Sequence, residues 1–215
     1  MKKFSVAADM ERVQKLYAFE DEARADGYNL IAGVDEAGRG SLVGAVVVAA
    51  VILPGDLYLE RLNDSKKISA KVRETLYDEI ISAAISWSVV AVDVAEIDTL
   101  NIYRATLEGM KRAVAGLNVQ PEFVLTDAMK VDFGDKISTR SIIHGDALSA
   151  SIAAASIIAK VTRDRLADRW AVDYPEYGFE HNRGYGTAEH IAAIEKHGPT
   201  PIHRRSFNPV KSLKQ

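Results

Sequence analysis

Two dense apolar runs stand early in the chain, at 30–34 and 45–53, and their β-branched content reads as buried strand rather than helix. A glycine-rich segment joins them, so an antiparallel pair is predicted. Ahead of them, 9–24 carries helix formers and stops at Asp26-Gly27, which predicts an N-terminal helix outside the main sheet. Beyond them the period alternates. The pattern predicts a helix over 70–84, a strand over 86–94, a helix over 99–117, and short strands at 123–126 and 136–143. A long helical pattern then covers 147–174, alanine-rich in its first half and charged from 160 to 169, and Pro175 ends it. A short helix at 188–197 precedes a basic tail containing proline. Strands interleaved with helices predict a mixed α/β sheet. No repeat, low-complexity tract or linker divides the chain. The division expected is an N-terminal helical segment, 1–28, followed by one domain, 29–215, with a C-terminal helical extension.

Composition narrows the partners. Of 215 residues 47% are apolar, ample for a core, and 27 basic against 30 acidic residues leave a formal charge of -3. That balance argues against coating nucleic acid through bulk charge, although a local basic surface is compatible with it. Without cysteine there is neither a disulfide nor a thiolate zinc site, and the five histidines form no metal pattern. The N-terminal apolar run after Lys2-Lys3 is broken by Asp9, too short for a signal peptide. The longest apolar stretch, 42–53, falls short of the roughly 20 residues of a membrane helix. No membrane association is expected, and a cytoplasmic, monomeric protein is.

The chemistry concentrates in Gly33-Val34-Asp35-Glu36-Ala37-Gly38-Arg39-Gly40. Adjacent carboxylates repel each other, and a divalent cation such as Mg²⁺ or Mn²⁺ relieves that with oxygen ligands. Gly38 and Gly40 permit close approach of a sugar-phosphate chain. Successive strand residues face opposite ways, so Asp35 and Glu36 can share a cation only where the strand has ended or bulged, and the glycines make room for that. Asp127 follows another strand, and Asp146 opens the long helix, where it also suits an N-cap. Each acid alone is commonly a turn or cap residue; the four together are candidates to converge. Lys160, Arg163, Arg165 and Arg169, with Arg204, Arg205, Lys211 and Lys214 in the tail, are candidate phosphate contacts, though solvated helix faces look the same.

Several segments in series resemble ribonuclease HII, the bacterial type 2 ribonuclease H. They are GVDEAGRGSLVG (33–44), Asp64-Ser65-Lys66-Lys67, EIDTLNIYRA (96–105), Gly145-Asp146, SIAAASIIAKVTRDR (151–165), Gly184-Tyr185-Gly186-Thr187 and HRRSFNPV (203–210). The resemblance implies a ribonuclease H-like fold, a mixed five-stranded sheet flanked by helices. It also implies a metal-dependent endonuclease that cuts the RNA strand of RNA/DNA hybrids and incises duplex DNA 5′ of a single embedded ribonucleotide, leaving 5′-phosphate and 3′-hydroxyl ends. By the same resemblance Asp35, Glu36, Asp127 and Asp146 match the family's metal-binding acids. Gly38, Arg39 and Gly40 match the segment that senses the ribose 2′-hydroxyl, Lys66 and Lys67 fall in a substrate-binding motif, and Tyr185 matches the tyrosine that packs on the sugar beyond the junction. The chain departs from the pattern at Ser41 and Ala45, where prolines are common, at Arg183, where lysine is usual, and at TDAM around Asp127, where many relatives have VDG.

Other readings compete. A dinucleotide-binding oxidoreductase fits poorly, because the glycine spacing is not G-x-G-x-x-G and two acids would repel the phosphates. Another metal-dependent nuclease of the same fold, or a non-catalytic hybrid-binding module, is separated from the main reading by testing binding and cleavage against metal.

Overall fold

The computed structural model describes residues 4–212. Five strands form one mixed sheet: β1 (Ile31–Ala37), β2 (Val46–Ile52), β3 (Ser86–Val92), β4 (Phe123–Asp127) and β5 (Ser138–Ile142), in the order β3-β2-β1-β4-β5. The β1–β2 and β2–β3 pairs are antiparallel, whereas β1–β4 and β4–β5 are parallel. Every β2 residue is buried, and its side chains alternate between two cores. Val47, Ala49 and Val51 pack with α6 (Ala150–Asp173), α3 (Ala70–Ala83) and the N-terminal helices, while Val48, Ala50 and Ile52 pack with α5 (Ile102–Ala115). The alanines of α6 bring its axis close to the sheet. At Gly33 the approach is so close that a Cβ would lie 2.1 Å from the Ser151 carbonyl carbon, so only glycine fits there.

The N-terminal stretch differs from the single helix read over 9–24. It is two helices, α1 (Val6–Lys15) and α2 (Ala18–Ala25). The chain turns between them so that the Leu16 carbonyl leaves the helical ladder and accepts from the Ala150 amide at 2.9 Å. Similarly, β3 ends at Val92 and the pattern read as one helix over 99–117 is α4 (Val94–Leu100) followed by α5. Asn101 separates them at φ 68, its carboxamide accepting from the Tyr103 and Arg104 amides. Beyond α6, a 3₁₀ turn (Pro175–Tyr177), α7 (Phe179–Asn182) and α8 (Ala188–His197) gather around a separate apolar cluster containing Leu42, Tyr177, Phe179 and Ile194. No helix among the described residues is long and apolar enough to cross a membrane.

Candidate active site

Because β1 and β4 are parallel neighbours with Val34 opposite Thr126, their carboxyl ends bring Asp35 and Asp127 side by side. Asp146 comes from a 3₁₀ turn, Gly145–Ala147, that leads into α6. It is therefore not the helix N-cap; Ser149 is, accepting from the Ile152 amide at 3.2 Å. The same turn aims the Gly145 amide at Asp127 Oδ1, 2.8 Å away. One carboxylate oxygen from each of Asp35, Asp127 and Asp146 lies within 4.8 Å of the other two.

Glu36 is arranged differently from the expectation of a strand that ends or bulges. β1 stays paired with β2 through Glu36–Val48 and Ala37–Val47, so Asp35 faces α6 while Glu36 faces the opposite side. Its Oε1 meets Arg39 Nη1 at 3.3 Å, and its Oε2 is buried without a hydrogen-bond partner. The Glu36 amide in turn donates to Asp35 Oδ1 at 2.7 Å.

Burial pushes the Asp35 carboxyl well above its ordinary range, and the charges of Glu36 and Asp127 push the same way. Asp127 is raised by burial and by Asp146, against the pull of the Gly145 amide. Burial also raises Glu36, with Arg39 opposing. Lys66 Nζ reaches Asp146 Oδ2 at 3.0 Å, and although partial burial works against its charge, Asp146 holds it above the usual lysine value. Lys66 arrives there because Ser65 Oγ bonds Ser156 Oγ of α6 at 2.9 Å and the Lys66 amide donates to Asp64 at 2.9 Å. Lys67 instead points to Asp64, 3.8 Å away. Three close carboxylates answered by one lysine form a hard-oxygen donor set that fits a divalent cation.

The second part of the site is the Gly38-Arg39-Gly40 loop. Gly38 has φ +94, and a Cβ there would lie 1.9 Å from Arg163 Nε. Two buried arginines pack beneath the loop, and Arg204 holds it by hydrogen bonds. Arg204 donates to the carbonyls of Gly38, Arg39 and Gly44 at 2.8, 2.9 and 2.9 Å, and Arg163 donates to the Arg183 carbonyl at 2.9 Å. Both are 0% exposed, so neither reaches a phosphate directly, unlike the solvent-facing role their sequence clusters suggested. Of the rest, Lys160 pairs with Asp164 and Arg165 with Glu74, each at 2.6 Å; Arg169, Arg205 and Lys211 are exposed, and Lys214 lies outside the described residues.

Tyr185 is 40% exposed at the edge of this loop, its ring 3.9 Å from where a Gly40 Cβ would stand. Ser41, where proline is common, uses its buried hydroxyl to donate to the Gly184 carbonyl at 2.8 Å, tying the two loops together. Arg183 turns toward Asp168 in a close ion pair. Contacts thus link the acids to Lys66 and to the glycine-arginine loop, and that loop to Tyr185.

Sequence reasoning missed the supports. Glu20, completely buried on α2, accepts from Ser149 Oγ at 2.6 Å and the Ser151 amide at 2.8 Å, which fixes the first turn of α6 beside Asp146. Nothing in the charged helix 18–25 distinguishes Glu20 from its neighbours. For Arg163 and Arg204 there was no signal either, since each stands beside other charged residues in the sequence.

The family model for Ribonuclease HII matches residues 32–210. Ribonuclease HII of Enterococcus faecalis is 52% identical over 200 residues, 93% of this chain and 78% of that protein. Among solved structures, ribonuclease H2 from Pyrococcus horikoshii matches with a TM-score of 0.73 at 27% identity, covering 86% of this chain and 96% of that one. A ribonuclease HII from Archaeoglobus fulgidus, solved in complex with PCNA, matches with a TM-score of 0.68 at 26% identity over 87% and 97%.

Proposed function

Because the chain belongs to the ribonuclease HII family and is thus a nuclease of RNA/DNA hybrids, we propose that it also incises duplex DNA 5′ of a single embedded ribonucleotide, by two-metal-ion hydrolysis. The observation that carries this reading is the convergence of Asp35, Asp127 and Asp146 within 4.8 Å, beside a glycine-arginine loop and an exposed tyrosine. Asp35, Asp127 and Asp146 would hold Mg²⁺ or Mn²⁺, and Glu36, outside that triad, would offer its unpartnered oxygen as a further ligand. When bound, the cations supply a hydroxide at neutral pH and stabilise the charge developing on the leaving 3′-oxygen.

The chain's own groups do the rest. The Glu36 and Gly145 amides fix Asp35 and Asp127, so that the carboxylates are oriented before substrate arrives. Lys66 offsets part of the acid charge that would otherwise repel the phosphodiester. Exposed backbone at Gly40, the Arg39 guanidinium and Lys67 take the strand, and the loop amides read the 2′-hydroxyl that separates RNA from DNA. Losing that hydrogen-bond partner is what penalises an all-DNA strand. Tyr185 packs on the sugar after the ribonucleotide. Water adds to phosphorus, the bond to the 3′-oxygen breaks, and the products are a 5′-phosphate and a 3′-hydroxyl.

The test is cleavage of end-labelled duplexes with no ribonucleotide, one ribonucleotide, or an RNA tract, in Mg²⁺, Mn²⁺ or chelator, with Asp127→Asn as control. Metal-dependent incision 5′ of the lone ribonucleotide, absent from all-DNA duplex and from the variant, is the expected result. Cutting of RNA tracts alone would remove the junction role of Gly38-Arg39-Gly40 and Tyr185. Binding without cutting would leave a hybrid-binding module.

A further inference from the structure

Behind Tyr185 lies a buried pair of histidines that the reaction itself does not use. His190 on α8 and His203, next to Arg204, are both 0% exposed, and their Nε2 atoms are 3.2 Å apart. The two outer nitrogens are fixed by backbone groups whose roles cannot change. The Thr200 amide donates to His203 Nδ1 at 2.9 Å, so that nitrogen carries no proton. The Tyr185 carbonyl lies 2.9 Å from His190 Nδ1 and can only accept, so that nitrogen does carry one. With both rings neutral, a single arrangement completes the line: His203 Nε2–H donates to His190 Nε2. Burial keeps both rings below the ordinary histidine value, and Tyr177 and Phe179 enclose them, with ring centroids 5.2 to 6.3 Å away.

This line has a direction and two useful ends. One end is the backbone of Tyr185, which the proposed function assigns to the sugar beyond the junction. The other is the Thr200 amide, held by His203, whose neighbour in sequence, Arg204, donates to the Gly38 and Arg39 carbonyls. An aromatic pocket could be filled by apolar side chains at no polar cost, whereas a hydrogen-bonded pair fixes the spacing between the two loops it joins. We propose that His190 and His203 are positioning residues: their one-way hydrogen-bonded line sets Tyr185 against Gly40 and so determines the preference for ribonucleotide–DNA junctions. The inference rests on the assigned role of Tyr185.

The experiment measures incision at a single ribonucleotide and on an RNA-tract hybrid for wild type, Tyr185→Ala, His190→Phe and the double variant. Phenylalanine fits the aromatic enclosure and removes both hydrogen bonds. The expected result is a loss of about tenfold in the junction-to-tract ratio for His190→Phe, the size of one hydrogen bond, with no further loss when it is added to Tyr185→Ala. Equal losses on the two substrates would mean a merely structural role and overturn the inference. So would a full additional loss in the double variant. If Tyr185→Ala leaves the ratio unchanged, the assignment of Tyr185 itself fails; if only His190→Phe leaves it unchanged, this inference fails alone. Should His190→Phe not fold, His190→Asn keeps a donor toward Tyr185 yet cannot reach His203. Its ratio should fall between wild type and Tyr185→Ala, and a wild-type ratio would overturn the inference. Imidazole nitrogen resonances of the wild-type protein give an independent readout. They should show a protonated Nδ1 on His190 and an unprotonated Nδ1 on His203, and any other pattern overturns the line.

Discussion

At the scale of the residue, position 128 shows how one side chain departs from what its backbone asks for. Ala128, directly after Asp127, is exposed and has φ 52, in the left-handed region that glycine adopts without penalty. It stands where the family pattern around this acid has the glycine of VDG. Ala128→Gly should therefore raise stability by about 0.5–1 kcal/mol, the relief of strain exceeding the extra freedom gained by the unfolded chain. Urea unfolding of the two proteins checks this, and a less stable variant would show that the turn carries no strain. Lys66 supports a second prediction. Its ammonium is largely exposed and competes with any cation for Asp146. Lys66→Ala should bind Mn²⁺ about two- to fivefold more tightly, the range of an exposed ion pair, and bind hybrid less well; calorimetric titration without nucleic acid measures the former. The acids themselves were legible, because four carboxylates fell at strand ends and a helix start. The orientation of Glu36 was not, since the apolar run of β2 carries the pairing past the glycines' reach and keeps Asp35 and Glu36 on opposite faces. The burial of Arg163 and Arg204 was equally hidden. A charged residue reads as solvent-facing until the carbonyls that satisfy it come from loops more than a hundred positions away in sequence, as those of Val43 and Gly38 do.

At the scale of the element, the N-terminal helices fasten the front of α6. Three groups at the start of α6 are satisfied from outside the helix: the hydroxyl of its N-cap Ser149 and the Ser151 amide by Glu20, and the Ala150 amide by Leu16. The first amides of a helix have no partner within it, so these contacts decide where α6, and with it Asp146, begins. Glu20→Ala should cost about 2–3 kcal/mol by leaving a buried hydroxyl and amide unpaired, while Glu20→Gln, which still offers an acceptor oxygen, should recover most of that loss. Thermal denaturation of the three proteins measures it, and equal loss in both variants would show that the carboxylate's charge matters rather than its acceptor. The same contacts explain why the sequence pattern merged α1 and α2. No glycine or proline marks the break; the turn exists because the Leu16 carbonyl is needed by α6 and the Tyr17 hydroxyl by the Leu57 carbonyl, both tertiary demands. Between α4 and α5 the signal was present, an asparagine able to adopt positive φ and to cap the following helix, yet it was masked by helical periodicity on both sides. Elements carried by strong periodicity, the β2 run and the bulk of α6, were read nearly to their ends.

At the scale of the whole molecule, two groups of buried ionisable side chains pull stability in opposite directions with pH. His203 is lowered from 6.5 to about 4 by burial and by neighbouring His190 and Arg205. Between those values the unfolded chain binds the proton and the folded one does not, so stability is lost as pH falls from about 6.5 to 4, by about 3 kcal/mol. For Asp35, Glu36 and Asp127 the folded carboxyls are raised above their unfolded values, mainly by burial. There the folded state holds the extra protons, so their contribution is full below the ordinary carboxylate range and is lost as pH rises toward neutrality. Without a divalent cation the two trends partly cancel. A cation on the ionised cluster removes the carboxylate part of the balance, because it binds the form that neutral pH populates. The stabilisation produced by Mg²⁺ should therefore be small at pH 5 and grow toward pH 7.5, reaching about 2.7 kcal/mol when the cation stands a hundredfold above its dissociation constant. For a chain of this length that corresponds to about 5–10 °C in Tm. Melting curves in Mg²⁺ and in chelator, taken across this pH range, give the difference directly. In Asp127→Asn the difference should shrink at every pH, because the cluster has lost one oxygen ligand and one charge. A Mg²⁺ effect independent of pH, or retained in that variant, would mean that the cation binds elsewhere than among the three convergent carboxylates.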